Sequence, residues 1–304
     1  MNHLRAIDLC CGAGGWACAA RGLPIRVELA VDLWPAAART YALNHPETEV
    51  IVGDVRDPAI QDRVESAAVG VDLIVGGIPC EWLSSYRTLN PVKRPERDSE
   101  RATLDAVLGL VRRIGPRFWC LEDVKGIVRE LPILTPWQEV NSRGFSAQRR
   151  KRVFVGDFPV IAAGDDHRVL ADCLRRGPFR IGRRSAHRNP VVQRSFTKTE
   201  SLAAYPDRKA PTMAGLCSRR DAELLVVDPA IAGGKRQLEW QEAARLQGFP
   251  DDYVFFGSPT DVGLMVARAV QIDTGRAILE RIVEVWQRTT DNGPLTKRKT
   301  AVAG

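Results

Sequence analysis

Short apolar runs alternate with helical spacing through the first half of the chain. Leu4-Arg5-Ala6-Ile7-Asp8-Leu9 predicts a strand, and Gly12-Ala13-Gly14-Gly15 opens a helix that continues to Arg21. Val27 to Val31 predicts a second strand, ending at Asp32 and followed by a helix to Asn44. Val50-Ile51-Val52, Val71 to Val75 and Arg117 to Leu121 predict three more strands, the last preceded by a helix over Thr103–Ile114. Strand and helix in repeated alternation predict an α/β fold, a doubly wound and mostly parallel sheet with helices on both faces. Ligands of such sheets sit beyond the carboxyl ends of the strands, where the strand order reverses. The polar residues at or just after those ends are Asp8, Asp32, Asp54, Cys80 and Glu122.

After Val153-Phe154-Val155 the alternation stops. Residues 159 to 235 carry Gly, Pro and Arg around short apolar pieces such as Leu224-Leu225-Val226-Val227, which predicts a smaller domain of irregular or β structure. Helical periodicity returns over Trp240–Gln247 and Val262–Val285, while Arg288 to Gly304 is polar, basic and aperiodic. The expected organisation is a sheet domain of residues 1–158 with 268–288, a second domain of 159–267, and a disordered basic tail of 289–304.

Composition narrows the setting. In 304 residues, 44% are hydrophobic and 27% charged, the balance of a globular protein with a large core. No stretch approaches the roughly 20 apolar residues of a membrane helix, and no secretory apolar segment follows Met1. A cytoplasmic protein is expected, in a bacterial cytosol or a phage-infected cell. Seven cysteines, with Cys10 and Cys11 adjacent, read as reduced thiols in a chain of this length. Lys plus Arg outnumber Asp plus Glu by 44 to 37, a net charge of +7. The excess is local: from Arg168 to Arg220 there are about a dozen cations and only Asp172, Glu200 and Asp207 against them. A cluster of this kind suits a phosphate-bearing partner.

Four motifs carry chemistry. Glycines between a strand and a helix let a ligand approach the backbone, and Gly12, Gly14 and Ala17 satisfy G-x-G-x-x-A with Asp32 placed as a ribose-binding acid. This fits a nicotinamide-dependent oxidoreductase as well as a nucleoside-cofactor transferase. Pro79-Cys80-Glu81 follows the fourth strand, where a cysteine held partly as thiolate can act as a nucleophile or a buried thiol can simply pack. Leu83 stands where a zinc deaminase would need its second cysteine, so that reading fails and no metal is expected. Glu122-Asp123 ends the fifth strand, where burial raises a carboxyl pKa or a helix simply begins. Gln148-Arg149-Arg150-Lys151-Arg152 is a cationic cluster leading into an apolar strand, able to hold phosphate or a base carbonyl.

Taken in order, the motifs resemble those of the DNA (cytosine-5) methyltransferases. Asp8 to Gly15 resembles the family's S-adenosylmethionine loop, Asp32 its ribose-binding acid and Gly53-Asp54-Val55 its adenine-contacting segment. Gly77-Ile78-Pro79-Cys80-Glu81 is similar to the nucleophile motif, Leu121-Glu122-Asp123-Val124 to Glu-Asn-Val, and Gln148-x-Arg150-x-Arg152 to Gln-x-Arg-x-Arg. Arg236-Gln237-Leu238 and Glu242 to Pro250 resemble the segment after the recognition region, so that the likeness spans residues 4 to 285.

The resemblance implies a Rossmann-like, S-adenosylmethionine-dependent methyltransferase with a small target-recognition domain, acting on double-stranded DNA as a monomer. Carbon 5 of cytosine is a poor nucleophile, so the Cys80 thiolate first adds at carbon 6. Glu122 then hydrogen-bonds the ring, while Arg150 and Arg152 anchor the base carbonyl and an adjacent phosphate, on a base flipped out of the duplex. The implied donor contacts are Asp8, Cys10, Cys11, Gly12, Ala13, Gly14, Gly15, Asp32, Leu33, Asp54, Val55, Pro79, Leu104, Thr274, Gly275 and Arg276. The implied DNA contacts are Glu81, Ser84, Arg101, Gln148, Arg175, Arg176, Arg183, Arg184 and Arg188, with Trp82 to Glu100 as the loop that closes over the base. Four places depart from the family pattern: Cys10 for Phe, Glu81 for Gln, Asp123 for Asn, and Gln271-Ile272-Asp273-Thr274-Gly275-Arg276 for Gln-Ile-Gly-Asn-Ala-Val. The last admits a modified donor, carboxy-S-adenosylmethionine, with Arg276 or Thr274 facing its extra carboxylate. An RNA substrate, and a nucleic-acid-binding protein without turnover, are the other readings to be separated.

Overall fold

The computed structural model describes residues 3–79, 83, 97–174, 203–204, 209–210, 225–227 and 235–291. Five parallel strands form most of one sheet: β1 (Leu4–Leu9), β2 (Ile25–Asp32), β3 (Glu49–Val52), β4 (Leu73–Gly77) and β5 (Phe118–Asp123). β6 (Trp137–Asn141) and β7 (Lys151–Val155) complete it in the order β3-β2-β1-β4-β5-β7-β6, with β7 antiparallel to both neighbours. The chain winds outward from β1 to β3, then crosses back to place β4 on the other side of β1. That reversal opens a crevice between the ends of β1 and β4.

Burial on both faces explains why the strands read as apolar runs. Along β1, Leu4 and Ala6 enter one core and Ile7 and Leu9 the other. The first core is covered by α1 (Gly15–Ala20), by α5 (Trp240–Gln247), by α6 (Pro259–Arg268) and by α7 (Ile272–Asp291). The second lies under α3 (Pro58–Ala67) and α4 (Arg97–Ile114). α2 (Pro35–Asn44) follows β2 and packs Tyr41 into the first core. A small second sheet, β8 (Ala203–Ala204), β9 (Leu225–Val227) and β10 (Lys235–Gln237), falls within the segment expected to be irregular or β.

Several expected boundaries move. Residues 97–100, assigned to the closing loop, form the first turn of α4, where Asp98 and Glu100 suit the positive end of the helix. The rest of that loop, Trp82 and 84–96, lies outside the described residues. The single helix expected over Val262–Val285 is two helices, broken at Ala269-Val270-Gln271. The break is held from outside, because the carbonyl of Ala269 accepts from Arg150 and from Gln247. α7 runs through Asp291, so residues 289–291 of the expected tail are helical, and 292–304 lie outside the described residues. Leu238, Ala243, Leu246, Phe249, Tyr253, Val262 and Val266 share a core with β1. By packing, the part of 159–267 after Gln237 therefore belongs with the sheet domain.

Candidate active site

The glycine loop leaves β1 at the crevice. Cys10 takes a left-handed backbone at φ +52°, and Gly12 and Gly14 follow at +55° and +88°. The Gly12 N–H donates to Asp32 Oδ2 at 2.7 Å, and Trp34 N–H donates to Oδ1 of the same carboxylate at 2.8 Å. Asp32 is thereby fixed at the end of β2 while remaining partly exposed, and burial raises its pKa despite the two donors. A side chain built at Gly12 would meet nothing, so the loop faces open space there. Leu33 is 62% exposed beside it. Cys11 is buried, and Ala13 and Gly15 are packed beneath the loop. Asp8 is also buried, with neither carboxylate oxygen hydrogen-bonded among the described residues. Burial and the nearby Asp32 carboxylate push its pKa well up. Asp54, beyond β3, is gripped by Arg56 at 2.5 Å, which holds its carboxyl below the usual range. Arg56 also donates to Ser99 Oγ on α4 at 2.9 Å.

One strand over, β5 delivers Glu122 and Asp123. Gly77 of β4 is in register with Glu122, and the Ile78 N–H donates to the Glu122 carbonyl at 3.2 Å. Pro79 is exposed, and the next residue, Cys80, lies outside the described residues together with Glu81 and Ser84. The Glu122 side chain is 5% exposed, and its Oε1 is 3.0 Å from Arg152 Nε. Arg152 comes from β7, where antiparallel pairing sets Glu122 opposite Phe154 and Asp123 opposite Val153. Asp123 is buried, accepts the Val124 N–H, and has its pKa pushed well up by burial and by Glu122.

Six of the expected contacts are buried or engaged within the protein. Arg150, expected at base or phosphate, is 1% exposed and donates to the carbonyls of Ala267 and Ala269 at 3.1 Å each. It caps the end of α6 and lies 3.8 Å from Glu122, facing inward. Gln148 is fully buried at the junction with Ala210. Leu104 is core, under α4. Thr274 is buried, with its hydroxyl 2.9 Å from Ser142 Oγ and 2.8 Å from Gln271 Oε1, which starts α7. Arg276 donates to the carbonyl of Arg21 at 2.7 Å and pairs with Glu280 at 2.9 Å. It caps the C-terminal end of α1, the end away from the glycine loop, which removes its reason to face a donor. Arg101 is taken up by Asp105 and Glu130, both at 3.0 Å. Val55 is buried beside Asp54, and Gly275 packs against Trp16 and Ala19. Arg175, Arg176, Arg183, Arg184 and Arg188 lie outside the described residues.

Three residues of the site have no motif to announce them. Trp34 and Arg56 each stand two positions after an acid already singled out, and that spacing is their only signal in the sequence. Tyr253 donates to the carbonyl of Ala13 at 2.6 Å across 240 residues of chain, and nothing local in the sequence marks it.

A mostly parallel sheet with an acid-flanked glycine loop at its switch point, and a buried carboxylate–guanidinium pair two strands away, fits a nucleoside-cofactor-dependent transferase. The model of C-5 cytosine-specific DNA methylases matches residues 4–132 and 171–284, and the chain belongs to that family: it is a DNA cytosine-5 methyltransferase. It is 24% identical to the Type II methyltransferase M.NgoMIV of Neisseria gonorrhoeae over 93% of this chain and 98% of that protein. Identity to the Type II methyltransferase M.NaeI of Lentzea aerocolonigenes is 26%, over 93% of this chain and 75% of that protein. The fold is shared with the S. pombe Dnmt2 methyltransferase, at a TM-score of 0.70 and 15% identity over 94% of this chain and all of that one.

Proposed function

We propose that this enzyme methylates carbon 5 of a cytosine flipped out of double-stranded DNA, through a covalent adduct with Cys80, as the modification arm of a Type II system. The observation that carries the reading is the Glu122–Arg152 pair at 3.0 Å, buried beside the end of the strand that leads to Cys80. The residues around the crevice fit S-adenosylmethionine. Gly12 leaves room for close approach, Asp32 offers a fixed carboxylate for ribose hydroxyls, and Asp54 with Val55 borders the adenine side. The bound donor supplies an electrophilic methyl group.

Cys80 adds to carbon 6 of the base, which makes carbon 5 nucleophilic. Glu122 meets ring N3 and the exocyclic amine, and passes N3 a proton as the thiolate adds, which leaves a neutral enamine and a Glu122 carboxylate beside Arg152. Arg152 holds Glu122 and is the cation left for the base carbonyl once Arg150 is committed to α6. After transfer, N3 returns its proton to Glu122, the carbon 5 proton passes to water, and the carbon 6–sulfur bond breaks with Cys80 leaving as thiolate, which restores the ring. The Type II relatives support a modification role. Bisulfite sequencing of DNA from cells expressing the chain tests it, with one recurrent motif fully protected as the expected result. Protection of RNA alone, or none, would sink the DNA reading. The modified donor loses its support with Arg276, so mass spectrometry of the same DNA is expected to find 5-methylcytosine and no carboxymethylcytosine, even with carboxylated donor present.

Recognition is assigned to the basic stretch from Arg168 to Arg220. Reversing the charge of two or three of Arg175, Arg176, Arg183, Arg184 and Arg188 is expected to lower the salt slope of DNA affinity by about 0.9 for each phosphate no longer neutralised. An unchanged slope would make these residues a solvated surface.

A further inference from the structure

Both halves of the glycine loop are fixed by groups near the two ends of α2, one at each end of that helix. At the N-terminal end, Asp32 accepts the Gly12 N–H. At the C-terminal end stands His45, whose Nε2 lies 3.1 Å from the Tyr253 hydroxyl, and that hydroxyl donates to the Ala13 carbonyl at 2.6 Å. Because the carbonyl can only accept, the Tyr253 proton is spent on it, and His45 must be the donor to the Tyr253 oxygen. All three groups are buried. The segment carrying Tyr253 is itself bound to α2. Asn44 exchanges hydrogen bonds with Val254 at 2.8 and 2.9 Å, and Phe256 N–H donates to Thr40 at 2.9 Å.

We propose that Tyr253, oriented by His45, is a positioning residue for the methyl donor: it pins the Ala13 carbonyl inward and so presets the loop that receives the donor. The inference rests on the donor reading of that loop. Packing alone does not call for the hydroxyl. The Tyr253 ring is already held against Phe249 and Phe255, at centroid distances of 4.7 and 5.3 Å, contacts that phenylalanine would keep. The loop closes directly on the hydroxyl, since a side chain at Gly14 would come within 2.7 Å of it. A free loop would lose backbone entropy on binding, and one held beforehand does not. Burial and the Arg21 cation push the His45 pKa down to about 4, so His45 stays neutral in the same donor role through the neutral range.

The test compares full-length variants by calorimetry with S-adenosylmethionine and by steady-state kinetics on DNA. Tyr253→Phe is expected to bind the donor about tenfold more weakly, the scale of one buried hydrogen bond, with kcat at saturating donor and DNA affinity unchanged. His45→Gln, which keeps an N–H at the same reach, should bind the donor normally, whereas His45→Phe should repeat the loss. The double variant Tyr253→Phe/His45→Phe should be no weaker than Tyr253→Phe, because His45 acts through Tyr253. Donor affinity unchanged in Tyr253→Phe would overturn the proposal. So would equal losses in donor affinity, DNA affinity and kcat, which would mark a general packing defect. Failure of the wild type to bind S-adenosylmethionine would overturn the donor reading itself. Should Tyr253→Phe fold poorly, the contrast between His45→Phe and His45→Gln carries the same decision.

Discussion

Cys80→Ala will transfer no methyl groups while binding S-adenosylmethionine as tightly as the wild type. No other described side chain can replace it. Cys10 and Cys11 are the nearest thiols in the fold's logic, and burial together with the carboxylates of Asp32 and Asp8 raises both pKa values well beyond the thiolate range. Cys120 is buried within β5 and raised in the same way. These are inert thiols by environment, since only a thiolate attacks. DNA carrying 5-fluorocytosine at the target position should therefore form a covalent complex with the wild type, visible on a denaturing gel, and none with Cys80→Ala. A complex that persists in the variant would move the nucleophile elsewhere. Loss of donor binding alongside turnover would show that the substitution had damaged the fold.

Glu122→Gln is expected to slow turnover by roughly 10²-fold or more, the scale of a lost acid–base or charge-stabilising group. The amide keeps the shape of the carboxyl group but cannot pass ring N3 the proton that neutralises the charge brought by thiolate addition. It also leaves Arg152 without its anion, 3.0 Å away in a buried setting. Single-turnover rates at saturating DNA separate this from weakened binding. Turnover close to normal would reduce Glu122 to a structural partner of Arg152 and Arg150.

The five parallel strands could be read from the chain because burial on both faces leaves continuous apolar runs. Their functional ends could be read because Asp32, Asp54 and Glu122 interrupt those runs with acids. β6 was not legible. Trp137-Gln138-Glu139-Val140-Asn141 lies at the sheet edge, largely unburied, and carries no alternation to betray it. The break between α6 and α7 was hidden for a different reason: its own residues are helix-compatible, and it is imposed by Arg150 and Gln247 from elsewhere. The same distance effect hid the inward contacts of Arg150. Two arginines separated by one residue carry identical chemistry in sequence, yet antiparallel pairing sends Arg152 to Glu122 while Arg150 turns to the Ala267 and Ala269 carbonyls. Thr274 and Arg276 looked like departures at a donor pocket. They are the start of one helix and the cap of another, roles fixed by Ser142, Gln271 and Arg21.

The order in which the chain is made gives the packing of α1 a further meaning. All six of its residues are buried, and much of its cover comes from the last helix of the chain. Trp16 and Ala19 lie against Gly275, Gly15 against Val270, and the last carbonyls of α1 against Arg276. During synthesis, β1, the glycine loop and α1 emerge first and must wait for nearly the whole polypeptide before that surface is closed. Contacts so distant in sequence fold slowly. A ribosome-bound or prematurely ended chain can therefore carry the complete loop sequence, and even Cys80 and Glu122, without a formed donor site.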